Sequence, residues 1–202
     1  AVLSGGPSSE HEVSLNTGRM VLKNLDKKKY EARMVVVDKN GLWPTAPKNL
    51  KEDFDLVFNA MHGEYGEDGA VQALLEDMGI LYTGSGVAAS RLGMDKAACY
   101  DLLKKNKLLF PLFSINGDPA ILEKLGLPIV VKPSDRGSSV GVSIVKNWSR
   151  LSAAVKKAKK YSPQTMFQKY IPGREFTCAV LEIKGRATPL PPTEIIFKKS
   201  FF

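Results

Sequence analysis

The feature that most constrains the fold is an alternation in the first half of the chain, where short apolar runs take turns with segments of helical spacing. Val2-Leu3 stops at the loop Ser4-Gly5-Gly6-Pro7-Ser8-Ser9, and a helix is predicted from Val13 to about Leu25. Met34-Val35-Val36-Val37 is a β-branched run closed by the turn signal Asp38-Lys39-Asn40-Gly41. Leu56-Val57-Phe58 leads into a second glycine-bearing loop, His62-Gly63-Glu64-Tyr65-Gly66-Glu67-Asp68-Gly69. Ala70 to Met78 then places Val71, Leu74, Leu75 and Met78 on one helical face, and Ile80-Leu81-Tyr82 reads as another strand. Strands that alternate with helices form a parallel sheet covered by those helices. In such sheets ligands bind beyond the carboxyl ends of the strands, where both glycine-bearing loops belong.

The second half reads differently. Asp95 to Lys105 is predicted as a helix with Asp95 near its start and lysines in its last turn, as the helix dipole favours. A Pro- and Gly-marked connection leads to Pro128-Ile129-Val130-Val131-Lys132-Pro133, an apolar strand that ends on a lysine. The small-residue loop Asp135-Arg136-Gly137-Ser138-Ser139-Val140-Gly141 and the run Val142-Ser143-Ile144-Val145 complete a hairpin. Ser149 is the expected cap of a helix that carries Leu151, Val155 and Ala158 on one face. Thr165 to Ile171 is a predicted strand, and Pro172-Gly173 turns the chain into another from Glu175 to Leu181.

Composition narrows the classes. A chain of 202 residues that is 44% hydrophobic and 25% charged buries a real core, in one large domain or two modest ones. No apolar run approaches the roughly 20 residues that span a bilayer, and the N-terminus lacks the basic lead and apolar stretch of a secretory signal. It also lacks an initiator Met, which reads as trimming. Cys99 and Cys178 have neither metal-like nor redox-like spacing, so they are expected to be buried free thiols of a reducing cytoplasm. The net charge of +8 comes from lysine clusters at 27–29, 104–107 and 156–160. Without interleaved aromatics to stack bases, these read as solvated helix faces rather than a nucleic-acid footprint. A basic protein still suits an anionic substrate such as a nucleotide.

The strongest local chemical signal is Lys132 followed by Gly137-Ser138-Ser139-Val140-Gly141. A triphosphate is held by a lysine point charge, by backbone N–H groups that glycine brings close, and by short hydroxyls. Neither a P-loop nor a dinucleotide fingerprint is present. Taken alone, the stretch suits a plain hairpin turn equally well.

Its neighbours extend the pattern. Ser4-Gly5-Gly6-x-Ser8-x-Glu10-x-Glu12-Val13-Ser14, Ala60-Met61-His62-Gly63, Gly66-Glu67-Asp68-Gly69, Tyr82-Thr83-Gly84-Ser85-Gly86, Met94-Asp95-Lys96 and Val131-Lys132-Pro133 occur in one order. That ordered set resembles the D-alanine–D-alanine ligases, along the whole chain. The resemblance implies an α/β protein, α+β overall. Residues 1–93 would form a parallel-sheet domain that binds D-alanine, 94–166 a central ATP-grasp domain, and 167–202 the incomplete start of a C-terminal ATP-grasp domain.

The resemblance also implies roles. Glu10 matches the glutamate that pairs with the ammonium of the first D-alanine, and His62 a histidine that contacts the same substrate. Ser138 matches a serine that hydrogen-bonds that glutamate and helps close the site, so Glu10 and Ser138 are the expected catalytic residues. Lys96 and Lys132 match the two ATP-phosphate lysines, with Gly137, Ser138, Ser139, Val140 and Gly141 as the phosphate loop. Gln168, Lys169, Tyr170 and Ile171 form the adenine hinge, and Glu175 accepts from the ribose hydroxyls. Many members carry a glutamate where Gln168 stands, and an amide still accepts through oxygen.

The implied reaction joins two D-alanines through an acyl phosphate, at the expense of ATP, for peptidoglycan synthesis and hence cell-wall biogenesis and cell shape. The alternatives are a ligase that joins D-alanine to D-lactate or D-serine, or a non-catalytic nucleotide-binding fragment. Mg²⁺ (or Mn²⁺) is the implied metal, with no ligand in this chain and its ligands expected beyond Phe202, so the chain itself is expected to be inactive. The implied partners are D-alanine, ATP and a second copy through the N-terminal domain, in the cytoplasm, with no nucleic acid and no membrane. Apolar surface is expected around Ile195, Ile196, Phe197, Phe201 and Phe202.

Overall fold

The computed structural model describes residues 1–196; Phe197, Phe201 and Phe202 lie outside the described residues. The first half alternates as its pattern predicts: β1 (Val2–Gly5), α1 (His11–Asn24), β2 (Met34–Val37), α2 (Leu50–Asp53), β3 (Leu56–Asn59), α3 (Ala70–Asp77), β4 (Leu81–Tyr82) and α4 (Val87–Met94). The four strands form a wholly parallel sheet in the order β2-β1-β3-β4. The chain moves from β1 to β2 on one side and returns to β3 on the other, so the order reverses between β1 and β3. That reversal opens a crevice at their carboxyl ends. Leu3, Val35, Val37, Val57, Val71 and Leu75 make the core beneath it.

The second half begins with α5 (Lys96–Lys105), capped by Asp95, whose side chain accepts from the N–H groups of Ala97 and Ala98. There follow β5 (Phe113–Ile115), α6 (Pro119–Leu125), β6 (Ile129–Pro133), β7 (Ser143–Val145), α7 (Leu151–Ala158) and β8 (Thr165–Lys169). These strands form an antiparallel sheet in the order β5-β8-β6-β7. Ile129, Val131, Val145 and Phe167 face α6 and α7 and close a second core with Leu125, Ala154 and Ala158. β8 belongs to this sheet, so the expected 166/167 domain boundary falls inside that strand.

Beyond it lie two nested antiparallel pairs. β9 (Glu175–Thr177) pairs with β12 (Thr193–Ile195), and between them β10 (Val180–Ile183) pairs with β11 (Arg186–Pro189). Phe176, Val180, Leu181, Ile183 and Ile196 are exposed there, and Ile195 is half-buried.

Three local expectations need correction. The predicted strand from Glu175 to Leu181 is broken into β9 and β10. Ser149 does not cap α7: the Asn147 side chain accepts the Ser149 N–H at 3.0 Å and caps the short 3₁₀ turn that precedes the helix. Cys99 is half-buried and Cys178 exposed, because Cys178 sits in the nested pairs, where no second layer of the described residues covers it. Both are free thiols.

Candidate functional site

The crevice between β1 and β3 is built by hydroxyls and glycines. The Gly5 N–H donates to Ser14 Oγ (2.7 Å), and that hydroxyl donates to Ala60 O (2.8 Å), so one side chain ties the ends of both strands. Ser8 Oγ donates to His62 O (2.7 Å) and accepts from the Glu10 N–H (3.0 Å). Glu10 stands just before α1 with its carboxylate turned toward the other loops. Gly63 has a φ of +71°, and a Cβ there would lie 2.9 Å from Glu10 Oε2 and 3.2 Å from Ser8 Cβ, so glycine suits both the backbone and the close approach of the 62–69 loop. Ser138 Oγ, from the second half of the chain, donates to Glu10 Oε1.

His62 lies beside this carboxylate. Its Nε2 is 2.8 Å from Thr17 Oγ1, and its Nδ1 is 3.7 Å from Glu67 Oε1, an ion-pair distance rather than a hydrogen bond. Glu67 holds the imidazole pKa above its usual value against the opposing effect of burial, and His62 in turn holds the Glu67 carboxyl below its own. Glu67 Oε2 also accepts the Gly63 N–H at 2.7 Å. A cavity of about 470 Å³ opens here, lined by Thr17, His62, Glu67, Gln72 and Ser90 among others. A larger one of about 650 Å³ lies around Ala1, Arg33 and Phe54. That second cavity is at the amino ends of the strands, away from every loop described above, so the smaller one is the better candidate site.

The hairpin expected from β6 to β7 is present, with residues 134–142 as its loop. Within the loop the Val140 N–H donates to Gly137 O and the Val142 N–H to Ser139 O. Ser138 and Ser139 both adopt positive φ, at 46° and 58°. β6 alternates, with Ile129, Val131 and Pro133 buried and Val130 and Lys132 on the opposite face. Cross-strand partners share a face, so Val130 and Lys132 stand with Gln168 and Met166 of β8. Burial, and secondarily the positive charge of Lys96, push the Lys132 pKa down to about 8. Burial also lowers that of Lys96, whose Nζ donates to Ser134 O (3.4 Å) and to Arg136 O. Two half-buried ammonium groups that repel one another make this face a seat for a polyanion.

Gln168 Oε1 accepts from Tyr100 OH (3.0 Å), and Tyr100 packs against Phe110 and Phe113. Lys169 donates its N–H to Leu112 O (2.8 Å) and its Nζ to Leu125 O (2.5 Å). Tyr170 follows, with its N–H directed at Pro128 O, and Ile171 and Glu175 are exposed. The structure therefore joins Glu10, Ser138 and Gly137, sets His62 next to them, and sets Lys96 close to Lys132. It brings neither Ile171 nor Glu175 against that group. Sequence reasoning missed Thr17, Glu67 and Tyr100, and also Arg136 and Glu64, whose side chains meet across the two loops. Among the described residues no group of three or more His, Cys, Asp or Glu gathers that could hold a metal ion. The described residues thus do not fit a magnesium site.

Comparison with known proteins agrees with this architecture. The model of the D-ala D-ala ligase N-terminus matches residues 1–53 and 44–85, and that of the C-terminus matches 104–202. The D-alanine–D-alanine ligase of Geotalea uraniireducens is 43% identical over 205 aligned residues, which cover all of this chain and 64% of the relative. The chain therefore spans a little under two thirds of that protein's length. The D-alanine–D-alanine ligase of Coxiella burnetii superposes with a TM-score of 0.85 at 28% identity, over 96% of this chain and 70% of that one. A Bacillus anthracis D-alanine–D-alanine ligase, solved in complex with ATP, gives 0.79 at 34% identity over 100% and 67%. The chain, with its parallel sheet followed by an ATP-grasp sheet, belongs to the D-alanine–D-alanine ligase family.

Proposed function

We propose that this chain carries the first-substrate site and most of the nucleotide grip of a ligase that joins two D-alanines at the expense of ATP, a step of peptidoglycan synthesis. The observation that carries the proposal is the Glu10–Ser138 hydrogen bond. It couples a carboxylate at the crevice of the parallel sheet to the loop that follows the half-buried lysine of the second sheet. Residues 1–93 would bind D-alanine, 94–166 together with the rest of β8 would form the central nucleotide domain, and the remainder of 167–202 would begin the third.

Each residue has a physical task. Glu10 pairs with the ammonium of the first D-alanine, while Ser138 fixes the carboxylate's orientation. His62, whose pKa is raised by Glu67, sits beside the substrate carboxylate. Lys132 and Lys96 face the triphosphate, with Gly137, Ser139, Val140 and Gly141 as the backbone cradle. Gln168, Lys169, Tyr170 and Ile171 border the adenine. The Lys169 N–H is already donated to Leu112 O, so its carbonyl is the group that meets the exocyclic amine. Glu175 takes the ribose hydroxyls. The D-alanine carboxylate attacks the γ-phosphorus and ADP departs. The amine of the second D-alanine then displaces phosphate from the acyl phosphate and loses a proton. These residues act by positioning and charge neutralisation.

Calorimetric titration of the chain tests the reading. ATP is expected to bind wild type and to be lost with Lys132→Ala, and D-alanine to bind in preference to L-alanine. Absence of ATP binding, or equal binding of the two alanines, would overturn it. For the reaction itself, dipeptide formed with D-alanine as sole amino acid is the expected product. Phosphate release only upon addition of D-lactate or D-serine would instead assign one of those acceptors.

A further inference from the structure

Arg136 and Glu64 sit on the two loops that carry Ser138 and His62. The Arg136 Nε lies 2.5 Å from Glu64 Oε1, and the two side chains are only 23% and 32% exposed. Partial burial shields the pair from the screening that weakens surface ion pairs. The guanidinium is held on its own side as well: Nη1 donates to Asp135 O at 3.0 Å and lies 3.1 Å from Asp135 Oδ1. Lys96 Nζ donates to the carbonyl of Arg136 itself. Arg136 thus reaches Glu64 from a fixed backbone.

Immediately downstream the loop needs such support. Gly137 passes over Glu10, where a Cβ would be 3.7 Å from Glu10 Oε2. Ser138 and Ser139 then hold two successive positive-φ conformations, which persist in ordinary residues only where the surroundings over-determine them. The Ser138–Glu10 hydrogen bond is solvent-exposed, and water competes with a single bond of that kind.

We propose that the Arg136–Glu64 ion pair is a positioning clasp. It holds the 134–142 loop against the 62–69 loop, and so sets Ser138 on Glu10 and His62 beside them for the first amino-acid substrate. The proposal rests on the D-alanine reading given above. Neither residue touches a reacting atom in it; both act through Ser138, Glu10 and His62.

The test is a double-mutant cycle in the whole chain with Glu64→Gln, Arg136→Gln and the pair combined, read by amide hydrogen exchange and by titration with D-alanine and with ATP. The Val140 and Val142 amides, both bonded within the loop, report its opening, and the amides of β6 report global stability. Each single substitution is expected to speed Val140 and Val142 exchange about tenfold and to weaken D-alanine about tenfold, with ATP weakened as well because residues 137–141 of the same loop cradle the triphosphate. The double variant is expected to be no worse than either single one. Unchanged exchange in the single variants or additive effects in the double would overturn the clasp. A coupled exchange cycle in a chain that binds no D-alanine would uphold the loop clasp and sink the D-alanine reading. D-alanine binding that is indifferent to both substitutions would do the reverse.

Discussion

Replacing Lys132 by Met should stabilise the chain while abolishing the proposed nucleotide binding. Lys132 is held on the face of β6 opposite the core, with the Lys96 cation nearby and no carboxylate paired with it among the described residues. Its pKa falls from 10.5 in an open chain to about 8, through burial first and Lys96 second. At about 1.36 kcal/mol per pH unit, that difference amounts to about 3 kcal/mol. The sign follows from proton counting. Below pH 8 the lysine is charged in both states, and the folded state bears the full cost of burying the ammonium. Between pH 8 and 10.5 the folded state sheds the proton while the unfolded state keeps it, so the cost disappears as pH rises. Met keeps the length of the stem and removes the charge. Urea unfolding should therefore find Lys132→Met more stable than wild type by up to about 3 kcal/mol at pH 7, narrowing to about 1 kcal/mol at pH 10. Equal stability at pH 7, or a gap that does not shrink with pH, would refute the argument that a half-buried, unpaired charge is stored at this position.

Three further outcomes are expected. Gly5→Ala places a Cβ 2.2 Å from Val37 O at a φ of +86°, so thermal unfolding should show a loss of more than about 2 kcal/mol. The His62 ring should titrate, by NMR, with a midpoint above the usual 6.5, and Glu67→Gln should bring it back down. The His62 contribution to stability is full below 6.5 and lost as pH rises through the folded midpoint; that of Glu67 is full above 4.5 and lost as pH falls. The pair therefore contributes most between those values. Ser138→Ala should leave stability within about 1 kcal/mol, because its bond to Glu10 is exposed, while D-alanine affinity measured by calorimetry falls about tenfold.

The parallel sheet was legible because its strands are bounded by strong punctuation: glycines at 5, 6, 41 and 69 adopt the positive φ that their turns require. α4 was not, because a glycine inside it, a glycine before it and the lack of any side-chain cap erase the usual boundary signals. β5 and α6 read from sequence only as a Pro- and Gly-marked connection, because both are short, although Asp118-Pro119 is a cap followed by a first-turn proline, and the Asp118 carboxylate does accept from Ala120 and Ile121. The site divides in the same way. Lys132 announced itself by ending an apolar strand. Arg136 and Glu64 carry no local signature at all: each reads as a loop charge, and only the docking of two loops distant in sequence makes them neighbours. The exposure of Cys178 was hidden for the same reason, since nothing in a strand's own residues says whether a second layer lies above it.

The nested pairs from β9 to β12 have one further consequence. Among the described residues their ladders close only upon themselves, and nearly every side chain between Ile171 and Pro192 is exposed. The free energy of opening this segment is therefore set by a few strand hydrogen bonds, far below that of the two packed cores. A protease should find it first, at the Lys184-Gly185-Arg186 turn where both basic side chains are exposed. Brief trypsin treatment would then nick the chain there and leave everything up to β8 intact.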